Sequence, residues 1–316
     1  MEEYPKTALE FEEWFASEEA CRKYLEHLRW PEGFRCPGCG GTQAWAMGRR
    51  LLRCRGCDLQ TSVTARTLFQ DTRKPLRLWF RALWYVTHQK QGVSALGLQR
   101  VLGLGSYHTA WTWLHKLRRA MVRPGRDRLT GTVEVDETYL GGEKPGKRGR
   151  GAAGKALVVV AAQEDGSRIG RIRLKRVPDA SAASLGGAVQ ATVEPGSAVR
   201  TDGWKGYADL SARGYGHRVI REDAAVGANL LPLENRVVAL LKRWLLGTHQ
   251  GAVRSSHLDY YLDEFTFRFN RRTSRSRGML FYRLVQQAAA LDPVPARQIK
   301  GHTKKAPAPT CRGNES

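Results

Sequence analysis

Apolar residues near the amino terminus recur at the spacing of an amphipathic helix. Between residues 5 and 29, among many glutamates, they are Leu9, Phe11, Trp14, Phe15, Tyr24, Leu25 and Leu28. This period predicts an acidic helical region whose apolar face packs on another part of the chain. From Pro75 to Met121 the pattern is helical and aromatic. Two short helical patterns separated by GLGS predict a helix-turn-helix, its second helix starting near Tyr107, or else a plain helical scaffold.

From residue 131 the period switches toward two, which is typical of strands. TVEVDETYL alternates, ALVVVAA reads as a buried strand, and RIRLKRV alternates with its cations on one face. A helix over 179–192, the strand SAVRTD, the short helix GYADLSARGY, the strand HRVI and a helix over 232–246 follow, and HLDYYLDEFTFRFN closes the compact part. The order β-β-β-α-β-α-β-α predicts a mixed sheet flanked by helices. The basic tail from about Leu291 is predicted to be disordered.

The charge balance adds a partner to this picture. Lys and Arg number 52 against 30 Asp and Glu, for a net charge of +22, while 41% hydrophobic residues suffice for a core. Such an excess indicates a polyanionic partner, most often nucleic acid, although a merely basic protein is the alternative. The acidic amino terminus and the lack of a run of about 18 apolar residues predict a cytoplasmic protein, with no membrane partner and reduced thiols.

Four cysteines stand at the spacing of a structural zinc site. FRCPGCG and LRCRGCD place Cys36, Cys39, Cys54 and Cys57 in two C-x-x-C pairs. The interval between the pairs is long enough for a hairpin, and four thiolates saturate a tetrahedral Zn²⁺ and leave no open position. Redox pairs are the alternative interpretation. Cys21 and Cys311 have no partner at ligand spacing.

Carboxylates mark the strands of the second pattern. In TVEVDETYL, alternation puts Glu134 and Asp136 on one face and Glu137 on the other or at the strand edge. Asp202 follows the strand SAVRTD, where a turn-forming aspartate is the simpler interpretation. Two carboxylates at neighbouring strand ends can bridge two Mg²⁺ ions that activate an oxygen for attack on a phosphodiester.

Several motifs in order resemble a known family. VEVDETYLGG, RTDGWKGYADL with GYGHRV, LKRWLLGTHQG and YLDEFTFRFNRR resemble insertion-sequence transposases of the DDE class. Together with WPEGFRCPGCG and VSALGLQRVLGLGSYHTAW, they resemble the branch with an N-terminal zinc ribbon, the IS-fifteen-ninety-five type. The resemblance runs from about residue 8 to residue 290. It implies a ribonuclease-H-like domain that cuts and rejoins DNA at transposon ends.

The resemblance also implies site residues. Asp136 and Asp202 match the first two catalytic positions, and the third position lies seven residues before Lys242, at Asn235. These three would hold two Mg²⁺, which Mn²⁺ can replace, and Lys242 would contact a phosphate. Helical periodicity agrees, because Asn235 shares a stripe with Lys242, whereas Glu234 shares the core-facing stripe. Glu234 is therefore predicted to cap the helix start, although the choice between the two neighbours stays open.

Other residues are weaker candidates. Glu134 is a possible neighbour of the site, Glu264 a reserve acid that is expected to pair with Arg268, and His217 a family position or a structural histidine. The predicted DNA contacts are His108, Thr109, Thr112, Lys116, Arg119, Lys147, Arg148, Arg150, Trp204, Arg243, Arg271 and Arg272. Tyr207 is another stacking candidate, and for it and Trp204 core packing is the default. The basic segments GEKPGKRGRGAAGK and NRRTSRSR suit phosphate contacts, or else they are plain solvated loops.

The expected organisation is that of an α/β multidomain protein. It comprises a helix and zinc ribbon over 1–65, a helix-turn-helix-like DNA-binding region over 66–128, a ribonuclease-H-like mixed sheet with flanking helices over 129–290, and a basic disordered tail over 291–316. The expected function is DNA transposition, with double-stranded transposon ends and target as partners, a homodimer or larger active complex, and nucleoid association when bound. The alternative is a domesticated or inactive DNA-binding protein without catalysis.

Overall fold

The computed structural model describes residues 3–123, 125–141, 155–220, 230–251 and 253–301. They fall into two compact units. The first consists of Met1–Trp84, Ala95–Ala120 and Phe281–Ser316, and the second of Tyr85–Ser94 and Met121–Leu280.

The helices and strands are named in chain order. The helices are α1 (Ala8–Trp14), α2 (Glu18–Arg29), α3 (Leu76–His88), α4 (Ala95–Leu102), α5 (Tyr107–Ala120), α6 (Ala182–Thr192), α7 (Pro232–His249), α8 (Leu258–Asn270), α9 (Arg277–Ala290) and α10 (Ala296–Ile299). The strands are β1 (Ala44–Met47), β2 (Leu51–Cys54), β3 (Gln60–Thr61), β4 (Thr132–Leu140), β5 (Ala156–Asp165), β6 (Arg168–Val177), β7 (Ala198–Thr201) and β8 (Gly216–Val219).

The predicted acidic helical region is two helices, α1 and α2. Thr7 and Ser17 cap them, each accepting a hydrogen bond from the backbone N–H three residues on. Part of the predicted apolar face packs, because the ring of Phe15 lies 4.8 Å from that of Phe80 and 5.6 Å from that of Phe281. Leu9 and Trp14, which were predicted on the same face, are 77% and 38% exposed, so for these two residues the prediction is wrong.

The rest of the first unit contains a small sheet and further helices. Strands β1, β2 and β3 form an antiparallel three-stranded sheet around the cysteine pairs. Helices α4 and α5 are joined by the short GLGS turn, where Gly103 has a φ of +62°. The ring of Trp113 in α5 stacks on that of Trp79 in α3, with the ring centroids 3.6 Å apart, and Leu114 and Leu117 of α5 are buried.

The second unit is built on a mixed five-stranded sheet. Its strand order is β6-β5-β4-β7-β8. Pairs β4–β5 and β5–β6 are antiparallel, and pairs β4–β7 and β7–β8 are parallel. The predicted mixed sheet is confirmed, except that the short helix expected after Asp202 is a 3-10 turn over Lys205–Tyr207.

The sheet has an apolar cluster on each face. On one face, Val133 and Val135 of β4 join Leu185 and Val189 of α6. On the other face, residues of β5 pack against α7 and α8. Asp136 pairs with Val160, a member of this second cluster, in the β4–β5 register, so it shares the α7 side of the sheet.

Two further observations concern the ends and the apolarity of the chain. Helix α10 lies within the segment that the sequence predicted as a tail, and its Ile299 is buried. The remainder of that segment, 302–316, lies outside the described residues. Among the described helices, none combines the length and the apolarity that crossing a bilayer requires.

Candidate catalytic and metal-binding sites

The four cysteines converge as the sequence predicts. Their sulfur atoms all lie within 4.8 Å of one another, with Cys36 Sγ 3.6 Å from Cys57 Sγ and Cys39 Sγ 3.5 Å from Cys54 Sγ. Four sulfurs around a tetrahedral Zn²⁺ at about 2.3 Å would be about 3.8 Å apart. The arrangement fits a structural zinc ion with no position left for a substrate.

Each cysteine pair is closed by the same backbone turn. The N–H of Gly40 donates to the carbonyl of Cys36 at 2.9 Å, and the N–H of Asp58 donates to that of Cys54 at 3.0 Å. Gly40 and Asp58 both have positive φ, +76° and +57°, which glycine and aspartate tolerate better than most residues. The two halves of the site are thus two copies of one local structure.

Backbone amides also point at the sulfurs. Gly38 N–H donates to Cys36 Sγ at 3.4 Å and Gly56 N–H to Cys54 Sγ at 3.3 Å. Backbone hydrogen bonds from Cys39 and Gly38 hold the pKa of Cys36 below its usual range, which favours the metal-binding thiolate. By contrast, burial raises the pKa of Cys21 to about 12, as expected of a packed thiol. Cys311 lies outside the described residues.

One aspartate lies on β4, and another directly follows β7, the parallel neighbour of β4. The β4–β7 register ends with the pair Glu134 and Arg200, and two residues beyond it on each chain segment are Asp136 and Asp202. Neighbouring strands lie about 4.8 Å apart. The fold therefore brings together carboxylates that are far apart in sequence.

The two aspartates differ in environment. Asp136 is half-buried within β4, and its Oδ1 accepts a hydrogen bond from Glu137 N–H at 2.7 Å. Asp202 is exposed just after β7, and its Oδ1 accepts from Trp204 N–H at 2.9 Å, which makes it a turn former as well as a site candidate.

Helix α7 begins beside these strands, and its first turn is held by Glu134. Glu134 Oε2 accepts hydrogen bonds from Leu233 N–H at 2.7 Å and from Glu234 N–H at 3.0 Å. Leu231, at the position before the helix, gives no side-chain cap. The predicted capping role of Glu234 is therefore wrong, because a carboxylate on β4 already occupies the free amides of the helix start.

Glu234 instead is a buried acid facing other acids. It is 2% exposed, and its Oε1 has no hydrogen-bond partner among the described residues. Burial, then the charges of Asp136 and Glu134, raises the pKa of Glu234 to about 8, against the opposing effect of Lys242. The start of α7 is thus a region of negative charge that the described side chains only partly neutralise.

The neighbouring residue lies on the outer face of the helix. Asn235 and Lys242 are both exposed, whereas Glu234, Val237 and Leu241 are buried. The division of α7 into two stripes, predicted from periodicity, is confirmed. The stripe that carries Asn235 and Lys242 is open to a partner.

A second carboxylate of β4 holds the segment that follows Asp202. The hydroxyl of Tyr207, which is fully buried, donates to Glu137 Oε2 at 2.9 Å. Burial and the nearby Glu137 raise the pKa of Tyr207, so the phenol stays protonated and remains a donor. Tyr207 is therefore a core residue with one polar contact rather than a base-stacking one.

Two other candidates have structural partners. Glu264 is buried, and Arg268 bonds it at 2.7 Å, as expected for a pair four residues apart on a helix. His217 Nε2 lies 2.9 Å from Thr201 Oγ1 on the neighbouring strand, which satisfies that ring nitrogen.

The DNA-contact candidates of α5 differ in exposure. His108 is exposed, and Thr109, Lys116 and Arg119 are partly exposed. Thr112 is only 7% exposed, so it lies off this surface, because its position on the helix turns it toward the buried side. Burial lowers the pKa of Lys116.

The remaining DNA-contact candidates are divided as well. Arg243 is exposed, and Arg271 stacks at 4.2 Å over the ring of Phe267. Arg272 donates to the carbonyls of Gly170 and Phe269, so much of its guanidinium is committed to the fold. Trp204 packs on the apolar cluster, with its Nε1–H donating to Ala180 O at 3.2 Å. Lys147, Arg148 and Arg150 lie outside the described residues.

Two families of transposase domains match parts of this chain. Residues 128–270 match the ISXO2-like transposase domain, and residues 16–60 match the transposase zinc-ribbon domain. The chain is 31% identical over 141 residues to a Halobacterium salinarum protein named "Uncharacterized protein in transposable element ISH50". The alignment covers 43% of the chain and 45% of that relative, so the chain spans less than half of the relative's length.

Proposed function

Because the chain belongs to the zinc-ribbon-bearing insertion-sequence transposases of the DDE class, we propose that it cleaves and joins DNA at the ends of an insertion sequence. One observation carries this proposal. Asp136 lies on β4, Asp202 directly follows the parallel strand β7, and Glu134 of β4 binds the start of α7. This arrangement suits a reaction in which two carboxylates direct an attack on a phosphodiester.

The strand order supports a ribonuclease-H-like catalytic domain. Three consecutive strands, β4, β5 and β6, form an antiparallel meander, and β7 and β8 add parallel strands on the other side of β4. In this sheet β4 is central, with β5 on one side and β7 on the other. The family resemblance of the motifs supports the same assignment.

The residues at this edge fit divalent cations. Carboxylate and amide oxygens are ligands that Mg²⁺ takes in proteins, and beside them Glu234 Oε1 has no hydrogen-bond partner among the described residues. Asp136, Asp202 and Asn235 would hold two Mg²⁺. When bound, these ions lower the pKa of the attacking water or 3′-hydroxyl and neutralise charge on the leaving oxygen.

The protein's own groups divide the remaining work. Asp136 and Asp202 would present their carboxylates to one phosphodiester from two neighbouring segments of the sheet. Asn235 is neutral, so the third position contributes a ligand oxygen without a charge. Lys242, two turns along the same exposed stripe, places a cation against a DNA phosphate.

DNA binding would use basic and polar residues of both units. We propose that α4 and α5 act as a helix-turn-helix, with His108, Thr109, Lys116 and Arg119 toward the duplex. Arg243 and Arg271 would contact phosphates, and the zinc ribbon would stabilise the first unit. Joining two transposon ends requires at least two copies of the chain in the active complex.

The decisive test is strand cleavage and strand transfer on a duplex that carries the element's ends, with Mg²⁺ or Mn²⁺. We expect Asp136→Ala and Asp202→Ala each to abolish both reactions while DNA affinity is retained. Asp165→Asn, an exposed acid at the end of β5, is the matched control and should leave both rates unchanged. Undiminished cleavage in the Asp136 or Asp202 variants would overturn the assignment, and tight binding without cleavage by the native chain would identify a binding protein.

A second comparison tests the third position. Asn235→Ala and Glu234→Ala are assayed at temperatures at which both variants are fully folded. If Asn235 is the third ligand, its variant loses more cleavage activity, because Glu234 lies on the buried stripe. The reverse order would move the third ligand to Glu234.

A further inference from the structure

Glu134 is a buried carboxylate in the middle of a strand, at a position where burial is costly. It is only 2% exposed. A charge in this place needs compensation. The hydrogen bonds that compensate it come from Leu233 and Glu234, residues 99 and 100 positions away in sequence.

Those two amides are the ones that α7 cannot satisfy by itself. The first turn of any helix leaves backbone N–H groups without internal partners. Leu231 has no side chain able to accept from them, and Pro232 has no N–H to offer. A carboxylate at the positive end of the helix dipole satisfies both remaining donors. The cap that local sequence lacks is supplied from β4.

This connection joins two parts of the proposed catalytic site. Glu134 is two residues before Asp136 on the same strand face. Asn235 directly follows the second amide that Glu134 holds. Glu134 therefore ties the first turn of α7 to the strand that carries the first aspartate, in addition to the apolar packing along the helix.

We propose that Glu134 is a positioning residue for the strand-cleavage reaction, fixing Asn235 and Lys242 relative to Asp136 by capping α7. The inference rests on the proposed function for the reaction, and on the two hydrogen bonds for the mechanism. It assigns Glu134 no contact with metal or DNA. For this role, the length that lets Glu134 Oε2 reach the amides of Leu233 and Glu234 matters more than the charge of the carboxylate.

Three substitutions separate reach from charge. Glu134→Gln keeps an acceptor oxygen at the same reach without charge, Glu134→Asp keeps the charge but is one methylene shorter, and Glu134→Ala removes both. Val189→Ala, on α6 across the sheet, is the control for lowered stability alone. Single-turnover cleavage and affinity for the end duplex are measured on the full chain, at matched folded fractions.

We expect Glu134→Ala and Glu134→Asp to slow cleavage about a hundredfold, because misplacement by about 1 Å has effects of this size. Affinity should change little, and Glu134→Gln should stay within about threefold of the native rate. Two results would overturn the proposal: Glu134→Ala as active as Val189→Ala, or an active Glu134→Asp with an inactive Glu134→Gln, which would mean that charge is what matters.

Hydrogen exchange tests the cap without any need for activity. In Glu134→Ala, the amides of Leu233 and Glu234 should exchange at least tenfold faster than in Val189→Ala of equal stability. Unchanged exchange would overturn the capping role even if cleavage fell. If the native chain does not cleave DNA, the proposed function fails, and the exchange result still decides whether Glu134 holds α7.

Discussion

The zinc ribbon and the carboxylate site are built on opposite principles. The ribbon gathers four sulfurs from Cys36 to Cys57, and the backbone turn around each pair is closed by its own residues. The carboxylate site takes groups from β4, from the end of β7 and from α7, and Glu134 and Glu137 of β4 hold the other two segments. A site with local ligands is specified by spacing, whereas a site assembled by the fold depends on residues that do not take part in it.

The two sites therefore relate differently to folding. Structural zinc binding and folding of the ligand loops are one equilibrium, because an unfolded chain has no preformed site. The carboxylates are brought together by a sheet with apolar clusters on both faces, whatever ion they bind. Disruption of one site should consequently leave the structure around the other site folded.

Zinc removal is expected to have the largest effect. Structural Zn²⁺ contributes an apparent 10–16 kcal/mol, roughly, in zinc-finger peptides at neutral pH. We expect a chelator, or Cys57→Ser, to abolish hydrogen-exchange protection over residues 36–61 while β4 and β5 keep theirs. Cys21→Ala is the control, since it removes a buried thiol that is not a ligand. Loss of protection in β4 and β5 as well would break the contrast between the two sites.

The contrast explains how much could be predicted from sequence. The cysteine spacing identified the four residues whose sulfur atoms converge, and the helical period divided α7 correctly into a buried and an exposed stripe. The alternation of β4 placed Glu134 and Asp136 on one face. Each of these is a property of a short segment, for which periodicity and spacing are sufficient.

Long-range partners were beyond such reasoning. Nothing near Glu134 indicates that its oxygen meets the amides of α7, so Glu234 was assigned the cap. The sequence contains two separate indications of this contact. Glu134 is an acid within a strand, and Leu231 stands where a helix usually has a capping residue. Likewise, the register that puts Arg272 against the carbonyl of Gly170 and the packing that buries Thr112 are properties of the tertiary structure.

The next expected effect separates structural acids from site acids. Arg268→Ala removes the guanidinium that bonds the buried Glu264, and breaking such a pair costs about 3–5 kcal/mol. Urea unfolding should show a loss of this order, with cleavage unchanged where the chain is folded. Arg213→Ala breaks the more exposed pair with Asp209 and should cost below about 1 kcal/mol. Equal losses in the two variants would contradict the structural role of Glu264.

The smallest expected effect concerns an acid whose pKa is raised but which is not among the proposed metal ligands. Burial raises the pKa of Asp263, on α8, to about 7, although it is not among the proposed ligands. Its folded-state pKa exceeds the unfolded value, so ionisation disfavours the fold, and stability falls as pH rises from about 4 to 7. Asp263→Asn should be more stable than the native chain by about 1–3 kcal/mol above pH 7, with the difference lost near pH 4.

Thermal unfolding across this pH range, with the exposed Asp165→Asn as control, provides the measurement. A stability difference for Asp263→Asn that is independent of pH would mean that the carboxyl is not held neutral by the fold. Cleavage activity should be unaffected in either variant. If cleavage activity is retained, the raised pKa of Asp263 reflects burial and not a role in the reaction.

The remote cap of α7 has a consequence for the order of events during synthesis. A helix whose start is satisfied from a strand 99 residues earlier gains that stabilisation only after a long loop has closed, and such contacts form slowly. Asn235, the proposed third metal ligand, is thus added to a sheet whose strands precede it in the chain. A truncated or nascent polypeptide that stops before α7 would hold both aspartates yet lack the helix that carries Asn235 and Lys242.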